Sequence, residues 1–347
     1  MQLLLHRNIM PDILLPYRIG RLEGLNSRLG DAPALADNPR FRGNGWSPMW
    51  FRNLTVFRLV EPFPLTAEEL AARLEQRAFQ PCPSHQLSAA GWVPPLGRKA
   101  RDLVHAAAGR LMVCLRIEEK LLPSIVVNQA VAERVALIED QGRRPVRRRE
   151  KQELRDQLVQ ELLPRALTRS RLGYAYLDPA AGWLVTDSAS PRAVEEITGI
   201  LRKTLDSLPV APPRVRQSVA AVMTAWLAEG QAPAGFSLGD VCELREGGDT
   251  GGVVRCRGQN LTGDEIRAHL EAGKQVTRLG LIWQDRVEFV LDEALVIRRL
   301  QFRDVVRESL QDAADSPEAL FDAEFALMTG ELALLLPRLL ELFGGEA

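Results

Sequence analysis

The stretch SIVVNQAVAERVALIEDQGRRPVRRREKQELRDQLVQELLP, residues 124–164, decides the fold, because it predicts a projecting hairpin of two antiparallel helices. Apolar residues recur three or four positions apart in both halves, as on one face of a helix. They are Val127, Val131, Val135, Ile138, Leu154, Leu158 and Leu162. Ser124 is the predicted cap of the first helix, which ends at Gln141-Gly142. The second helix begins near Arg148 and ends before Pro164.

Segments rich in β-branched and aromatic residues on both sides of the hairpin predict strands. Trp50–Val60 and Leu111–Ile117 precede it, and Tyr174–Asp178 and Trp183–Asp187 follow it around a turn at 179–182. Strands that return directly through short turns pair antiparallel. We therefore expect an antiparallel sheet from which the helical hairpin projects.

Helix signals occupy the spaces between these strands. Thr66-Ala-Glu-Glu69 predicts a capping box for a helix that ends near Arg77, and Pro191 starts a helix that ends near Ser207. Gly91–Gly97 predicts a rigid loop, and Leu208–Pro213 is the best candidate for a linker.

Beyond the linker the pattern again alternates between helices and strands. Thr262-Gly-Asp-Glu265 predicts a second capping box. The other predicted helices are Ser218–Glu229 and Glu331–Phe343, and the predicted strands are Val253–Arg257, Val276–Trp283, Arg286–Leu291 and Leu295–Phe302. The fold class is therefore predicted as α+β, with mostly antiparallel sheets and packed helices.

Residues 1–48 differ from the rest, because they lack periodicity and contain five prolines between Pro11 and Pro48. We expect them to be a poorly ordered extension, and we hypothesise that translation begins at Met49 instead. No apolar run is long enough for a membrane span, and the start does not resemble a signal peptide. Four cysteines without C-x-x-C spacing are typical of reduced thiols in a cytoplasm.

The net charge of −1 hides a segregation of charge along the chain. Residues 143–171 hold ten Arg or Lys against four acidic residues, whereas 304–347 hold two against ten. The distribution of charge, rather than its sum, sets the field that a polyanion meets. The acidic tail is predicted to be a solvated outer face or a surface that keeps DNA away.

The motifs of common enzymes are absent from the sequence. It has no phosphate-binding P-loop, dinucleotide-binding G-x-G-x-x-G or G-x-S-x-G nucleophile elbow, and its four histidines lack the spacing of a zinc site. Asp322 and Glu324 are predicted to be solvated, because residues two apart on a helix do not face each other. We therefore expect a non-enzymatic protein with no cofactor and no metal.

Basic side chains predict a DNA-binding surface, because the planar guanidinium of arginine matches phosphate oxygens. The candidates near the hairpin are Arg143, Arg144, Arg147, Arg148, Arg149, Lys151, Arg165 and Arg169. A second group consists of Arg255 and Arg257, which share one face of a strand, with Lys274 and Arg278. Contact with phosphates alone predicts little sequence preference and a steep salt dependence. The alternatives are a solvated charged surface and a hairpin that docks an acidic protein partner, such as a recombinase, without DNA.

From Met49 onward the chain resembles the bacterial recombination-associated RdgC family. The matching segments lie in order along the chain. They are MWFRNLTVFRL (49–59), AFQPCPS (78–84), GWVPPLG (91–97), EEKLLPS (118–124), ELLPRA (161–166), LRKTLDSLPV (201–210), LEAGKQVTRLGLIW (270–283) and FDAEFALMTGELA (321–333).

This resemblance implies a ring-shaped homodimer that encircles duplex DNA, also binds single strands, and antagonises RecA-dependent recombination in the cytoplasm at the nucleoid. It divides each subunit into a centre (49–122 and 165–210), a helical tip (123–164) and a base (211–347). It adds Gln259 to the DNA-binding candidates. Two positions depart from the family pattern, with Leu167 in place of phenylalanine and Gly258 in place of a basic residue. We hypothesise that Arg257 supplies the charge that Gly258 lacks.

Overall fold

The computed structural model of the chain describes residues 49–97, 100–142, 144–247, 251–307 and 316–347, so the predicted extension 1–48 lies outside them. In the described ranges the chain forms eight α-helices and twelve strands. The strands pair antiparallel in two sheets. The predicted α+β class with antiparallel sheets is therefore confirmed.

The first sheet holds the strands on both sides of the predicted hairpin. Its strands are β1 (Thr55–Leu59), β2 (Ser88–Val93), β3 (Val104–Ala107), β4 (Arg110–Leu121), β5 (Leu167–Asp178), β6 (Trp183–Thr186) and β7 (Val210–Ala211). They lie in the order β2-β4-β5-β6-β1-β7, and β3 also pairs with β4. Helices α1 (Ala67–Glu75) and α4 (Pro191–Leu205) bury Leu70, Leu74 and Leu201 in a core with this sheet.

Helices α2 (Ser124–Gly142) and α3 (Arg148–Leu162) are inserted between β4 and β5. Leu121 and Leu167, at the two ends of this insertion, are still paired across the sheet. Arg155 of α3 donates to the side chain of Asn128 on α2, so the helices contact each other. The helix boundaries match the prediction, but Ser124 is the first residue of α2 rather than its cap. Only α2 buries residues of the predicted apolar stripes, namely Val127 and Val131.

The second sheet lies in the C-terminal part of the chain. It consists of β8 (Phe236–Arg245), β9 (Val253–Arg257), β10 (Gln275–Trp283), β11 (Val287–Asp292) and β12 (Ile297–Phe302), in the order β12-β11-β10-β8-β9. The helices of this part are α5 (Val219–Glu229), α6 (Asp264–Glu271), α7 (Asp304–Arg307) and α8 (Pro317–Leu342). The fully buried side chains of Phe325, Met328 and Leu332 place α8 in the largest hydrophobic core. The predicted last helix, Glu331–Phe343, is therefore only the second half of α8.

The segment before β1 connects this strand to the second sheet. The amide of Leu54 donates to the carbonyl of Ile297 at 2.7 Å, and the amide of Ile297 donates back at 3.0 Å. Asn53 accepts from the amide of Arg299 at 3.3 Å. The strand predicted over Trp50–Val60 is thus shorter, and its first residues lie against β12 instead.

Two local predictions are wrong. The loop predicted at Gly91–Gly97 begins inside β2, where Gly91 has no room for a side chain because a Cβ would lie 2.4 Å from the backbone of Phe79. The second capping box does not form, since Gly263 caps α6 and the Thr262 hydroxyl donates to Asn260 instead. The predicted linker contains the short strand β7, which pairs with β1.

The acidic tail is not uniformly solvated, which corrects a further prediction. Glu324 is buried and accepts from the amide of Met49 at 2.8 Å. Glu331 is buried and bound by the Arg286 guanidinium through Nε and Nη2. Because burying an unpaired carboxylate is costly, these contacts explain how α8 carries acidic residues into the core.

Candidate nucleic-acid interface

The second sheet carries a row of alternating charges across one face. Glu243 of β8 lies between two arginines, Arg255 on the neighbouring strand β9 and Arg278 on the other neighbour, β10. On the far side of β10, Arg278 lies opposite Asp292 of β11. On β12, Arg298 pairs with Val290, two residues from Asp292 on the same face of β11. Opposite charges in directly opposed positions stabilise neighbouring strands, so the row holds the sheet in register.

Glu243 is the centre of this row. Its side chain is only 6% exposed, and one carboxylate oxygen accepts from Nε of Arg255 at 2.7 Å and from Nη1 of Arg278 at 3.0 Å. Arg245 approaches the other oxygen at 3.9 Å. Burial raises the pKa of Glu243, but the hydrogen bond from Arg255 and the charges of the three arginines outweigh it and lower that pKa. Glu243 is therefore ionised at neutral pH.

Asp292 has the equivalent role beside β12. Its Oδ1 accepts from the amides of Ala294 and Val296, both at 3.0 Å, and so orders the turn between β11 and β12. Its Oδ2 accepts from Nε of Arg298 at 3.0 Å. Arg255 and Arg298 thus each use the Nε edge of the guanidinium to hold a carboxylate.

A cavity of about 240 Å³ opens above this row. Five arginines line it, and we call it the arginine groove: Arg255, Arg257, Arg278, Arg298 and Arg299. Glu243 is the one acidic side chain among its lining residues in the described part of the chain. Several positive charges around one concavity favour an anionic ligand.

Arg299 reaches the groove through an unusual backbone conformation. Its φ is +54°, in the left-handed region that a residue with a side chain rarely adopts. The bond from its amide to Asn53 holds this conformation. Because this left-handed conformation interrupts the normal alternation of side chains along β12, the consecutive residues Arg298 and Arg299 both line the groove.

Of the residues predicted to bind DNA, three lie together in the arginine groove: Arg255, Arg257 and Arg278. Gln259 follows β9 and is exposed, and Lys274 precedes β10 and is half-buried, but neither lines the groove. Gly258, between Arg257 and Gln259, has a φ of +63°, which explains why a side chain is disfavoured there.

The arginines of the basic hairpin, which consists of α2, α3 and their connection, lie in a different environment from those of the groove. Arg144 forms a two-pronged ion pair with Glu150 at 2.7 and 2.8 Å, which raises the pKa of Arg144 and, by this hydrogen bond, lowers that of Glu150. Arg149 pairs with Glu153 at 3.0 Å and is 93% exposed. Arg147, Arg148 and Lys151 are exposed and form no ion pair with another described residue, whereas Arg143 lies outside the described residues.

Arg165 and Arg169 lie where the inserted helices return to the first sheet. Arg165 ends a short 3₁₀ turn after α3, and Arg169 of β5 lies opposite Glu119 of β4. Both side chains are exposed. No described residue of the hairpin lines the arginine groove, so the predicted residues that the structure describes belong to separate basic areas.

Metal-dependent nuclease chemistry needs clustered carboxylate or histidine ligands. Among the described residues there is no group of three or more His, Cys, Asp or Glu side chains that would hold a metal ion. The acidic residues of the charged row, Glu243 and Asp292, are bound by arginines. This arrangement suits the binding of a polyanion.

Comparison with known proteins agrees with the resemblance seen in the sequence. Residues 49–346 match the family model described as "Putative exonuclease, RdgC". The chain belongs to the RdgC family. The similar proteins include the recombination-associated protein RdgC of Aeromonas hydrophila subsp. hydrophila, which is 42% identical over 299 residues, or 86% of this chain and 99% of that protein.

Two further RdgC proteins show the same degree of similarity. Those of Proteus mirabilis and Pseudomonas entomophila are each 42% identical over 300 residues, which cover 86% of this chain and 99% and 98% of those proteins. Their names associate RdgC with recombination, whereas the family model names an exonuclease. Among the described residues, no helix has the length and apolar character that a membrane crossing requires.

Proposed function

We propose that this chain binds DNA independently of sequence and modulates, by inhibition, RecA-dependent homologous recombination. The observation that carries the proposal is the arginine groove, in which five arginines of the described residues line one cavity on the second sheet. Guanidinium groups bind phosphate oxygens, which every sequence presents alike, so phosphate contact accounts for binding without sequence preference. The recombination role is supported by the names of the RdgC relatives.

The proposed assembly is a homodimer closed as a ring around duplex DNA. Each subunit has a centre at 49–122 and 165–210, a tip at 123–164 and a base at 211–347. Tip-to-tip and base-to-base contacts, related by one twofold axis, close the ring. The insertion of α2 and α3 between the paired ends of β4 and β5 supports the assignment of the hairpin as a projecting tip.

The proposed DNA contacts comprise the arginine groove and the basic areas outside it. The latter are Arg143, Arg144, Arg147, Arg148, Arg149, Lys151, Arg165, Arg169, Gln259 and Lys274. The proposed partners are double-stranded DNA, single-stranded DNA and a second copy of the chain, with antagonism of RecA in the cytoplasm, at the nucleoid. No metal and no cofactor take part in this proposal.

A salt titration tests DNA binding directly. The logarithm of the association constant for a duplex should fall linearly with the logarithm of the salt concentration, with a slope near −0.9 per phosphate contacted. Duplexes of unrelated sequence should bind alike, and single-stranded DNA of equal length should give a shallower line. Absence of binding at low salt, with retained binding of an acidic protein partner, would favour the docking alternative.

Encirclement has a separate test. A ring threaded by DNA should dissociate more slowly from a closed circle than from linear DNA of the same length and sequence. Blocking both ends of the linear DNA should restore the slow dissociation. Equal dissociation from all three substrates contradicts the ring.

The exonuclease description of the family is tested by incubation of end-labelled duplex with Mg²⁺ or Mn²⁺. We expect no release of nucleotides, because the described residues lack a cluster of metal ligands. Release that co-purifies with the chain and disappears in a groove variant would contradict a purely binding role.

A further inference from the structure

The charged row beneath the arginine groove has a role beyond holding the strands together. We propose that Glu243 and Asp292 are positioning residues, which orient Arg255, Arg278 and Arg298 as a preformed binding site for a phosphodiester of duplex DNA. This inference rests on the proposed DNA-binding function. It assigns roles to two carboxylates that a net-charge description would count as unfavourable to DNA.

The geometry of the guanidinium groups leads to this inference. A guanidinium presents two N–H groups along its Nε–Nη edge and another pair between its two Nη atoms. Arg255 and Arg298 each commit Nε to a carboxylate, at 2.7 and 3.0 Å. The Nη pair then points away from that carboxylate, and this pair matches two oxygens of one phosphate group.

Burial makes Glu243 suited to this role. A carboxylate that is 6% exposed has few alternative positions, and it contacts two arginines with one oxygen. By contrast, the arginine side chains remain accessible, with that of Arg255 64% and that of Arg278 38% exposed. The anchoring carboxylate is thus buried, while the arginines that it holds are accessible and line the cavity.

Arg299 and Arg257 complete the site. Neither forms an ion pair with another described residue, although both line the groove. Arg299 is directed into the groove by its left-handed backbone and the bond to Asn53, rather than by a carboxylate. Five arginines and the two carboxylates leave a net positive charge for a phosphate.

The decisive variant is Glu243→Gln, because the two explanations predict opposite signs. The substitution removes a negative charge near the groove, so a site that works by net charge alone should bind DNA more tightly. If Glu243 positions Arg255 and Arg278, duplex affinity should instead fall about tenfold, the equivalent of one oriented charge-assisted hydrogen bond. Affinity is measured by fluorescence anisotropy with a labelled duplex at several salt concentrations.

Two further variants keep the test independent of folding defects at one position. Asp292→Asn should weaken binding in the same direction through Arg298. Glu243→Asp, which keeps the charge, should recover part of the affinity that Glu243→Gln loses. The matched control is Arg338→Ala on α8, where an exposed arginine paired with Glu341 at 2.9 Å is removed away from the groove.

The outcomes separate this inference from the proposed function. Tighter or unchanged binding by folded Glu243→Gln and Asp292→Asn, with normal binding by the wild-type chain, overturns the positioning role and leaves DNA binding intact. A wild-type chain that binds no duplex at low salt overturns both. Weaker binding by both variants, unchanged binding by Arg338→Ala and thermal melting within a few degrees of wild type support the inference.

Discussion

The arginine groove and the basic hairpin carry the same side chains in opposite settings. In the groove, the arginines lie on a five-stranded sheet, and three of them, Arg255, Arg278 and Arg298, are held by the carboxylates of Glu243 and Asp292. In the hairpin they lie on a connection between two helices and at the start of α3, where Arg149 is 93% exposed. The hairpin has the denser run of charge in the sequence, but the groove has the better defined donors.

This difference matters because ordering a long side chain costs entropy. An arginine that is free in solution loses about 2 kcal/mol of rotamer entropy when a ligand holds it. Side chains already held by carboxylates have lost part of that entropy on folding. If the chain binds DNA as proposed, we therefore expect the groove to supply most of the affinity for DNA. The hairpin should supply a long-range attraction to DNA, which salt screens.

The largest expected effect on DNA affinity comes from replacing three basic residues by alanine, first in the groove and then in the hairpin. Arg255→Ala/Arg278→Ala/Arg298→Ala should weaken duplex binding by about a hundredfold or more, at roughly 1–1.5 kcal/mol for each oriented contact. Arg147→Ala/Arg148→Ala/Lys151→Ala removes the same charge but should weaken binding only about three- to tenfold, since exposed helix charges contribute about 0.2–0.5 kcal/mol each. Equal losses in anisotropy titrations would contradict the comparison.

A smaller loss of DNA affinity is expected when an arginine of the groove is replaced by lysine, which keeps the charge but not the planar guanidinium. Arg278→Lys should weaken binding about tenfold, because lysine cannot bind a carboxylate and a phosphate through a planar fork. Arg148→Lys in the hairpin is the matched control and should leave affinity within about twofold, because a mobile point charge serves there. If Arg278→Lys binds like wild type, the groove acts by charge alone.

Substitution of Arg257 tests whether this groove residue contacts a phosphate of DNA. Arg257→Ala should weaken binding about two- to fivefold, as for one exposed charge, and should reduce the salt slope by about 0.9. These changes are expected if Arg257 replaces the basic residue that the family pattern has at Gly258. An unchanged slope would rule out that compensation.

The smallest effect concerns stability in acid. Pairing lowers the pKa of Glu243 below its ordinary value of 4.5, so its contribution to the free energy of unfolding is present above that pH. It is lost as the pH falls through the lowered pKa. The stability advantage of wild type over Glu243→Gln should therefore shrink in thermal melts as the pH falls below 4.5.

Glu150 provides the comparison in the hairpin. Its pKa is lowered by Arg144, so the sign of the pH dependence is the same. Because this ion pair is on the surface, Glu150→Gln should change the acid dependence less than Glu243→Gln does. A larger effect of Glu150→Gln would mean that the hairpin pair, rather than the charged row, is the more tightly held.

The two regions also differ in how far the sequence predicts them. Helix boundaries such as Gly142 and Arg148 follow from local signals, and the structure confirms them. The groove depends on the register of five strands, including β8, which the sequence did not predict because Gly239 and polar residues interrupt its pattern. The register also shifts at irregularities between β8 and β10, which no local rule anticipates.

Arg298 and Arg299 show why these groove residues were missed. Both fall in a correctly predicted strand, where alternation would place consecutive side chains on opposite faces. The left-handed conformation at Arg299 breaks that rule, and it is held by Asn53, 246 positions away in the sequence. A contact so distant in the chain is visible only after folding.

The pairing of Leu121 with Leu167 makes the hairpin a module of adjustable length. The chain leaves the first sheet and re-enters it at neighbouring positions, so the strands remain in register whatever lies between them. Removing one turn from each of α2 and α3 would draw the basic connection about 5.4 Å toward the sheet. The reach of the hairpin can therefore vary while the second sheet and its groove stay the same.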